Sequence, residues 1–378
     1  MERKISLIDT TLRDGALAPH VSISLSEKIH IVNMLREAGI KIFEAGIPAM
    51  GDTECKEITI LAQTYPDCTF IAWCRADLSD IEKSVQCGID TIHVSFPVSK
   101  QHMAIQKLTE DDVLNKLDDI LKVGLSKFKT VSIGAQDASR ANPDFLKRFI
   151  LKAYSGGACR IRIADTVGIL SPLSTMAMVK GLLQLVPGSA LEFHCHNDLG
   201  MATANTLVAL QSGADYASVT VNGTGERAGN APLEEVVMAI KETTDLQLEF
   251  KTESINTLCK DVSIITNQPI PKTKPVIGEN VFCHESGIHC NGQLKNSSAY
   301  EPYDPLKTGH SKSSFVAGTH SGKAGIMSIL KKYDISTTYE ELETLLPVIR
   351  ECSRSMKKSL DEKETVMLYM LYRHRMGK

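Results

Sequence analysis

A (β/α)8 TIM barrel, followed by a small carboxyl-terminal extension with helices, is the fold this sequence predicts, and three observations predict it. Short β-rich apolar runs alternate with segments of helical period eight times before about residue 245. The residues after the first run, Thr10-Thr11-Leu12-Arg13-Asp14-Gly15, are not the Gly-rich turn that opens a doubly wound sheet, which also has fewer strands. Ionisable residues stand at the ends of these runs, where a closed barrel gathers its chemistry.

The eight runs are residues 4–9, 41–47, 70–74, 91–96, 130–135, 160–164, 190–194 and 216–221. Between them, segments such as 26–38, 111–123, 143–154, 172–185, 202–212 and 233–243 place apolar residues three and four apart, the spacing of a helix face. The pattern changes near residue 246, with a helix-like 254–265 and the Pro-containing linker Asn267-Gln268-Pro269-Ile270-Pro271. A Gly- and His-rich stretch continues to about 325, and two helices are expected from about 338. The domains are therefore read as a catalytic barrel (1–250), a linker and lid arm (251–325) and a helical subdomain (326–378). Residues 275–325 are expected to be functional, because long irregular segments in compact proteins are usually lids or binding elements.

A formal net charge of −3, with no long Lys/Arg run, argues against nucleic acid or an anionic membrane as partner and leaves a small molecule. No apolar signal region or bilayer-length stretch is present, so the expected location is cytoplasmic. Ten cysteines without a Cys-x-x-Cys pair read as packing residues of a reducing compartment.

His194 and His196 are two apart at the end of the seventh run, so their imidazoles share one side of the strand. In a barrel Asp14, after strand one, lies on the same rim. One carboxylate and two imidazoles suit a catalytic divalent metal with open positions, and zinc, manganese, magnesium and iron all accept that set. Arg13 beside it can stabilise an oxyanion developing on a carbonyl substrate. The other rim residues include Glu44, Arg75, Ser95, Gln136, Asp137, Asp165, Thr166 and Asn222. The loop Asn222 to Asn230 reads as a Gly-rich turn for an anion, with Asn230 as a further oxygen ligand. In the arm, His284-Glu285-Ser286-Gly287-Ile288-His289 and Tyr300-Glu301 are either surface groups or an acid or base folding over a barrel mouth, that of a partner subunit.

Together Asp9-Thr10-Thr11-Leu12-Arg13-Asp14-Gly15, His194-Cys195-His196-Asn197-Asp198, the stretch Gly223 to Asn230 and His284 to His289 resemble the homocitrate and 2-isopropylmalate synthase family, and most the homocitrate synthases of the nitrogen-fixation type. The resemblance implies a metal-dependent Claisen condensation of acetyl-CoA with a 2-oxo dicarboxylic acid, 2-oxoglutarate, followed by thioester hydrolysis. It implies metal ligands at Asp14, His194 and His196, keto-oxygen polarisation by Arg13, and substrate-carboxylate binding by Thr166. It also implies a homodimer whose arms exchange, with His284 and Tyr300 assisting proton transfer in the neighbouring site.

The chain departs from the family where Gly-Glu-Gln-Ala-Pro-Gly is replaced by Gly15-Ala16-Leu17-Ala18-Pro19-His20, and where Glu-Asp-Ala-Ser-Arg begins instead with Gln136. An amide cannot ionise, so Gln136 cannot be a base. Leu17, His20, Ser132 and Arg75 are expected to bind substrate, and Gln136 is expected in the catalytic set with Arg13, His284 and Tyr300, also contacting the pocket. These departures leave open a different 2-oxo acid, and a donor that forms its carbanion by decarboxylation of a malonyl thioester. A carbon–carbon lyase of the hydroxymethylglutaryl-CoA lyase type and a catalytically silent binding subunit are the other readings. That lyase type has a cysteine in the loop after strand eight, where this chain has Thr224.

Overall fold

The computed structural model describes residues 3–376. The chain forms two compact units, Met1–Pro269 and Ile270–Lys378. In the first, β1 (Ser6–Asp9), β2 (Ile42–Gly46), β3 (Thr69–Arg75), β4 (Thr91–Pro97), β5 (Thr130–Gln136), β6 (Arg160–Asp165), β7 (Leu191–Cys195) and β8 (Tyr216–Val219) pair in parallel in sequence order. The barrel closes where β1 meets β8 in the register Ser6↔Tyr216 to Asp9↔Val219. Every strand falls within two residues of the predicted run.

The surrounding helices are α1 (Leu25–Ala38), α2 (Asp52–Thr64), α3 (Leu78–Val85), α4 (Lys100–Ile105), α5 (Glu110–Lys127), α6 (Pro143–Ser155), α7 (Pro172–Leu185), α8 (Ala202–Gln211) and α9 (Leu233–Thr243). Their starts are written in the sequence. Ser24 with Glu27 and Thr109 with Asp112 form reciprocal capping boxes, and Pro143 and Pro172 occupy first-turn positions where no amide is needed. A tenth helix, α10 (Ile255–Ile265), belongs to the barrel unit, so the segment 251–269 goes with the barrel and not with the arm.

Outward strand residues such as Ile161, Ile163, Phe193 and Val94 are buried among the helices, as a parallel sheet covered by helices requires. The inward positions are different. Branched apolar residues usually fill a barrel of this size, but here Glu44, Arg160, Arg162, Glu192 and His93 are all buried.

In the second unit β9 (Cys283–His284) pairs in parallel with β10 (Ser314–Phe315), accompanied by α11 (Gly287–Lys295), α12 (Lys323–Lys332), α13 (Tyr339–Met356) and α14 (Glu362–Arg375). Ile326, Ile329, Leu330, Leu342, Leu345, Ile349 and Tyr369 form its core. The last two helices are those expected from residue 338. The stretch His320-Ser321-Gly322 leads into α12, where Gly322 is the N-cap. No described helix is long and apolar enough to cross a membrane.

Candidate active site and metal centre

The loop after β1 is built by its own side chains. Asp9 accepts from the Thr11 amide at 3.0 Å and from the Thr11 hydroxyl at 2.8 Å. The Thr11 hydroxyl accepts in turn from the Val221 amide at 2.9 Å, tying the loop to the end of β8. The Asp14 and Gly15 amides both donate to the Thr10 carbonyl, so Arg13 and Asp14 are turned back, buried, into the barrel mouth. His194 is the penultimate residue of β7, and His196, just beyond its end, bridges through its backbone to Asn230.

Asp14, His194 and His196 each offer one ligand atom, and these atoms lie within 4.8 Å of one another. Asp14 Oδ2 lies 3.2 Å from both Arg13 Nη1 and His194 Nε2, while buried His196 Nδ1 and Asn230 Oδ1 have no hydrogen-bond partner. Leaving such an atom unsatisfied costs about 1–3 kcal/mol, and the Asp14, His194 and His196 set fits a cation that would give the carboxylate and the imidazoles a common partner. Burial on its own would raise the Asp14 carboxyl, but the Arg13 guanidinium, Nη1 to Oδ2 3.2 Å, and the neighbouring imidazoles hold it far below the usual carboxylate range. Burial, then the adjacent His194, push His196 down to about 4, which keeps its lone pairs available at neutral pH. A permanent carboxylate and a neutral imidazole are the ligand forms a divalent metal needs.

Arg13 is fixed from behind. Its Nε donates to Glu44 Oε2 at 2.6 Å, and its guanidinium carbon lies 5.6 Å from the Trp73 ring centre. Glu44 Oε1 accepts from Arg162 Nη2 at 2.8 Å, Arg162 Nε donates to Glu192 Oε1 at 2.6 Å, and Arg160 Nε donates to Glu192 Oε2 at 2.7 Å. Ser218 Oγ also donates to Glu192. Charge therefore alternates Arg13–Glu44–Arg162–Glu192–Arg160 down the barrel. Burial would raise both glutamates, yet Arg13 and Arg162 bring Glu44 down to about 2, and Arg162 and Arg160 do the same for Glu192.

A cavity of about 180 Å³ opens on this centre. Arg13, Asp14, His194 and His196 share its walls with Leu17, Ile47, Trp73, His93, Ser95, Gln136, Arg162, Thr166 and Glu226. His93 Nδ1 is 2.6 Å from Ser132 Oγ, and a Cβ at Gly134 would come within 2.5 Å of His93 Nε2. Gly134 is thus the space for the His93 ring. Gly134→Ala is expected to displace His93 and to cost about 1–3 kcal/mol as overpacking. Urea unfolding checks this, and an unchanged midpoint would show that the ring is not confined.

The structure brings Arg13, Asp14, Leu17, Gln136, Thr166, His194 and His196 to one cavity. Three expected substrate contacts, Ser132, His20 and Arg75, do not line it. Ser132 is fully buried and holds His93 instead, and His20 is exposed in the turn beyond Leu17 at φ 68°. Arg75 is paired with Asp80 (2.7 and 2.9 Å) and lines a neighbouring cavity of about 400 Å³ that shares Trp73, Ser95 and Gln136. In the Gly-rich loop the amides of Gly223, Thr224, Gly229 and Asn230 donate within the segment 220–230 and are not available to an anion. At Gly229, φ is 84° and a Cβ would stand 1.9 Å from the Gly223 carbonyl oxygen. His284 and Tyr300 lie in the second unit. There His284 Nε2 is buried without a hydrogen bond, 4.0 Å from Glu301, and Tyr300 stacks on His289 with centroids 4.2 Å apart. Trp73, His93, Arg162 and Glu192 were not singled out from the sequence. Their signal is charged residues at alternate positions of apolar strands, Arg160-Ile161-Arg162-Ile163 and Glu192-Phe193-His194.

Residues 4–262 match the HMGL-like family, and residues 276–357 match the homocitrate synthase post-HMGL domain-like family. The "2-isopropylmalate synthase 2" of Caldanaerobacter subterraneus subsp. tengcongensis is 40% identical over 369 residues, which cover 97% of this chain and 96% of that one. The "Homocitrate synthase 1" of Nostoc sp. is 39% identical over 366 residues, 97% of each. Among solved structures, the hydroxymethylglutaryl-CoA lyase of Pseudomonas aeruginosa superposes with a TM-score of 0.64 at 18% identity, covering 71% of this chain and 95% of that one, a likeness of fold alone.

Proposed function

We infer, since this chain belongs to the family of homocitrate and 2-isopropylmalate synthases, acyltransferases that condense acetyl-CoA with a 2-oxo acid, that its acceptor is a 2-oxo dicarboxylic acid, 2-oxoglutarate, and its product homocitrate. Asp14, His194 and His196, with the Asn230 side-chain oxygen beside them, would hold a divalent metal, which when bound acts as a Lewis acid toward the keto group. Arg13, oriented by Glu44 and Trp73, offsets negative charge developing on the keto oxygen. Thr166 contributes a hydroxyl that already accepts from the Asp137 amide at 2.9 Å, leaving its proton for a substrate carboxylate.

The observation that carries the dicarboxylic acceptor is Arg162. It lines the cavity, and with Nε on Glu192 and Nη2 on Glu44, its Nη1 is the nitrogen left for a second carboxylate. Ser95, Gln136 and His93 supply further polar groups. The adjoining cavity with Arg75 and Lys116 suits the anionic portion of the acyl-CoA. Turnover of purified enzyme with acetyl-CoA and 2-oxo acids of graded length and charge, followed by release of free thiol, tests this reading. 2-Oxoglutarate is expected to give the highest kcat/KM, and faster turnover of a branched apolar acid would reject the dicarboxylic acceptor. Gln136 favours a second reading of the donor, because no carboxylate stands there to take the acetyl proton. A malonyl thioester turned over faster than acetyl-CoA in the same assay, with CO2 released, is the result that reading requires.

The arm is read as serving the barrel of a partner subunit, with His284 and Tyr300 assisting proton transfer. The buried, unbonded His284 Nε2 supports this, since a structural histidine is normally satisfied. Chains carrying Asp14→Asn and chains carrying His284→Ala are each expected to be inactive and to regain partial activity after mixing and subunit exchange, because one mixed site keeps both groups. Absence of recovery in exchanged dimers would place the arm at its own barrel or remove it from catalysis.

A further inference from the structure

The opposite end of the barrel also has a cavity, of about 540 Å³, lined by the first residues of β2, β3, β4, β5, β6 and β8. Arg160 forms part of its wall. This side chain is 7% exposed, its Nε is held by Glu192, and its guanidinium carbon lies 5.1 Å from the Tyr216 ring centre. Its Nη2 is buried with no hydrogen-bond partner. The alternating series explains why. Three arginines and two glutamates leave both ends cationic. At the catalytic end Asp14 answers Arg13, whereas Arg160 at the basal end has only Glu192, which Arg162 already shares.

Other groups at this cavity suit an anion. Lys129 lines it and has no ion pair among the described residues. The Thr91 and Thr130 hydroxyls meet at 2.7 Å, so one of the pair has a proton free for an acceptor. Asp90 also lines the cavity and repels an anion, which Lys129 offsets. A bland role for Arg160, closing the barrel floor, would need only the bond to Glu192. It would not leave a buried donor facing no acceptor, and such a donor costs about 1–3 kcal/mol.

We propose that this basal cavity is a second ligand site that binds a small oxyanion, a carboxylate or a phosphate, on the Arg160 guanidinium with Lys129 and the Thr91–Thr130 pair. The site stands apart from the condensation chemistry and does not depend on it. Cys159, exposed at the same cavity, provides a reporter. Its alkylation by N-ethylmaleimide in the full-length protein, located by peptide mapping, is expected to slow saturably with inorganic phosphate or with succinate. Whichever probe protects at the lower concentration identifies the class of anion. Lys129→Gln, an exposed change, should weaken protection about tenfold, the loss of one charge-assisted contact. Arg160→Gln should abolish it. If Arg160→Gln does not fold, Lys129→Gln and Thr130→Val decide. No saturable protection by either anion, protection equalled by chloride at the same ionic strength, or protection unchanged in Lys129→Gln would each overturn the proposal.

Discussion

Asp14→Asn is expected to release the divalent metal and to lower kcat by about a thousandfold or more, since a Lewis acid contributes several kcal/mol to such a step and each 1.4 kcal/mol is a factor of ten. The substitution conserves shape, so it tests charge. In the native site the carboxylate stays ionised, because Arg13 and the two histidines outweigh its burial. With an amide there, two imidazoles and the Asn230 oxygen would have to hold a dication without any anionic ligand. Metal content per chain by elemental analysis and kcat measured at saturating metal separate the two effects. Retained metal with normal kcat would remove Asp14 from the site. Retained metal with low kcat would point instead to Arg13, which loses its 3.2 Å partner and swings toward Glu44.

Why Asp14 and His196 could be paired from the sequence, while Arg162 could not, is a matter of topology. Barrel closure carries every strand's carboxyl end to one rim, so three ligands separated by 180 residues or so converge once the eight β/α units are recognised. The loop residues Arg13 and Asp14 needed only their place after β1. Inward positions deeper in the barrel depend on strand register, which no motif marks. Glu44 and Arg162 meet across the barrel although β2 and β6 are not neighbours. Ser132, expected at the substrate, bonds instead to the His93 side chain from β4, a contact that depends on register in the same way. Gln136 was legible because it is the last residue of β5, where inward side and rim coincide.

The charge series inside the barrel predicts the largest stability effect. Glu192 is fully buried and bonded to Arg160, Arg162 and Ser218. Glu192→Leu would leave two buried guanidiniums short of a counter-charge, a loss of about 3–5 kcal/mol, because the desolvation of each arginine is no longer offset. Urea denaturation should show a lower midpoint with an unchanged slope. Glu192→Gln, which keeps an acceptor but not the charge, should fall between. The acid limb provides a second measurement. Glu44 and Glu192 titrate near 2 in the folded chain against an ordinary 4.5, so their stabilisation is complete above pH 4.5 and is lost as pH falls from there toward 2. Glu192→Gln has no carboxyl to protonate at this position, so its deficit relative to the native chain should shrink across that same window. A deficit independent of pH would mean that Glu192 acts through packing and hydrogen bonds rather than charge.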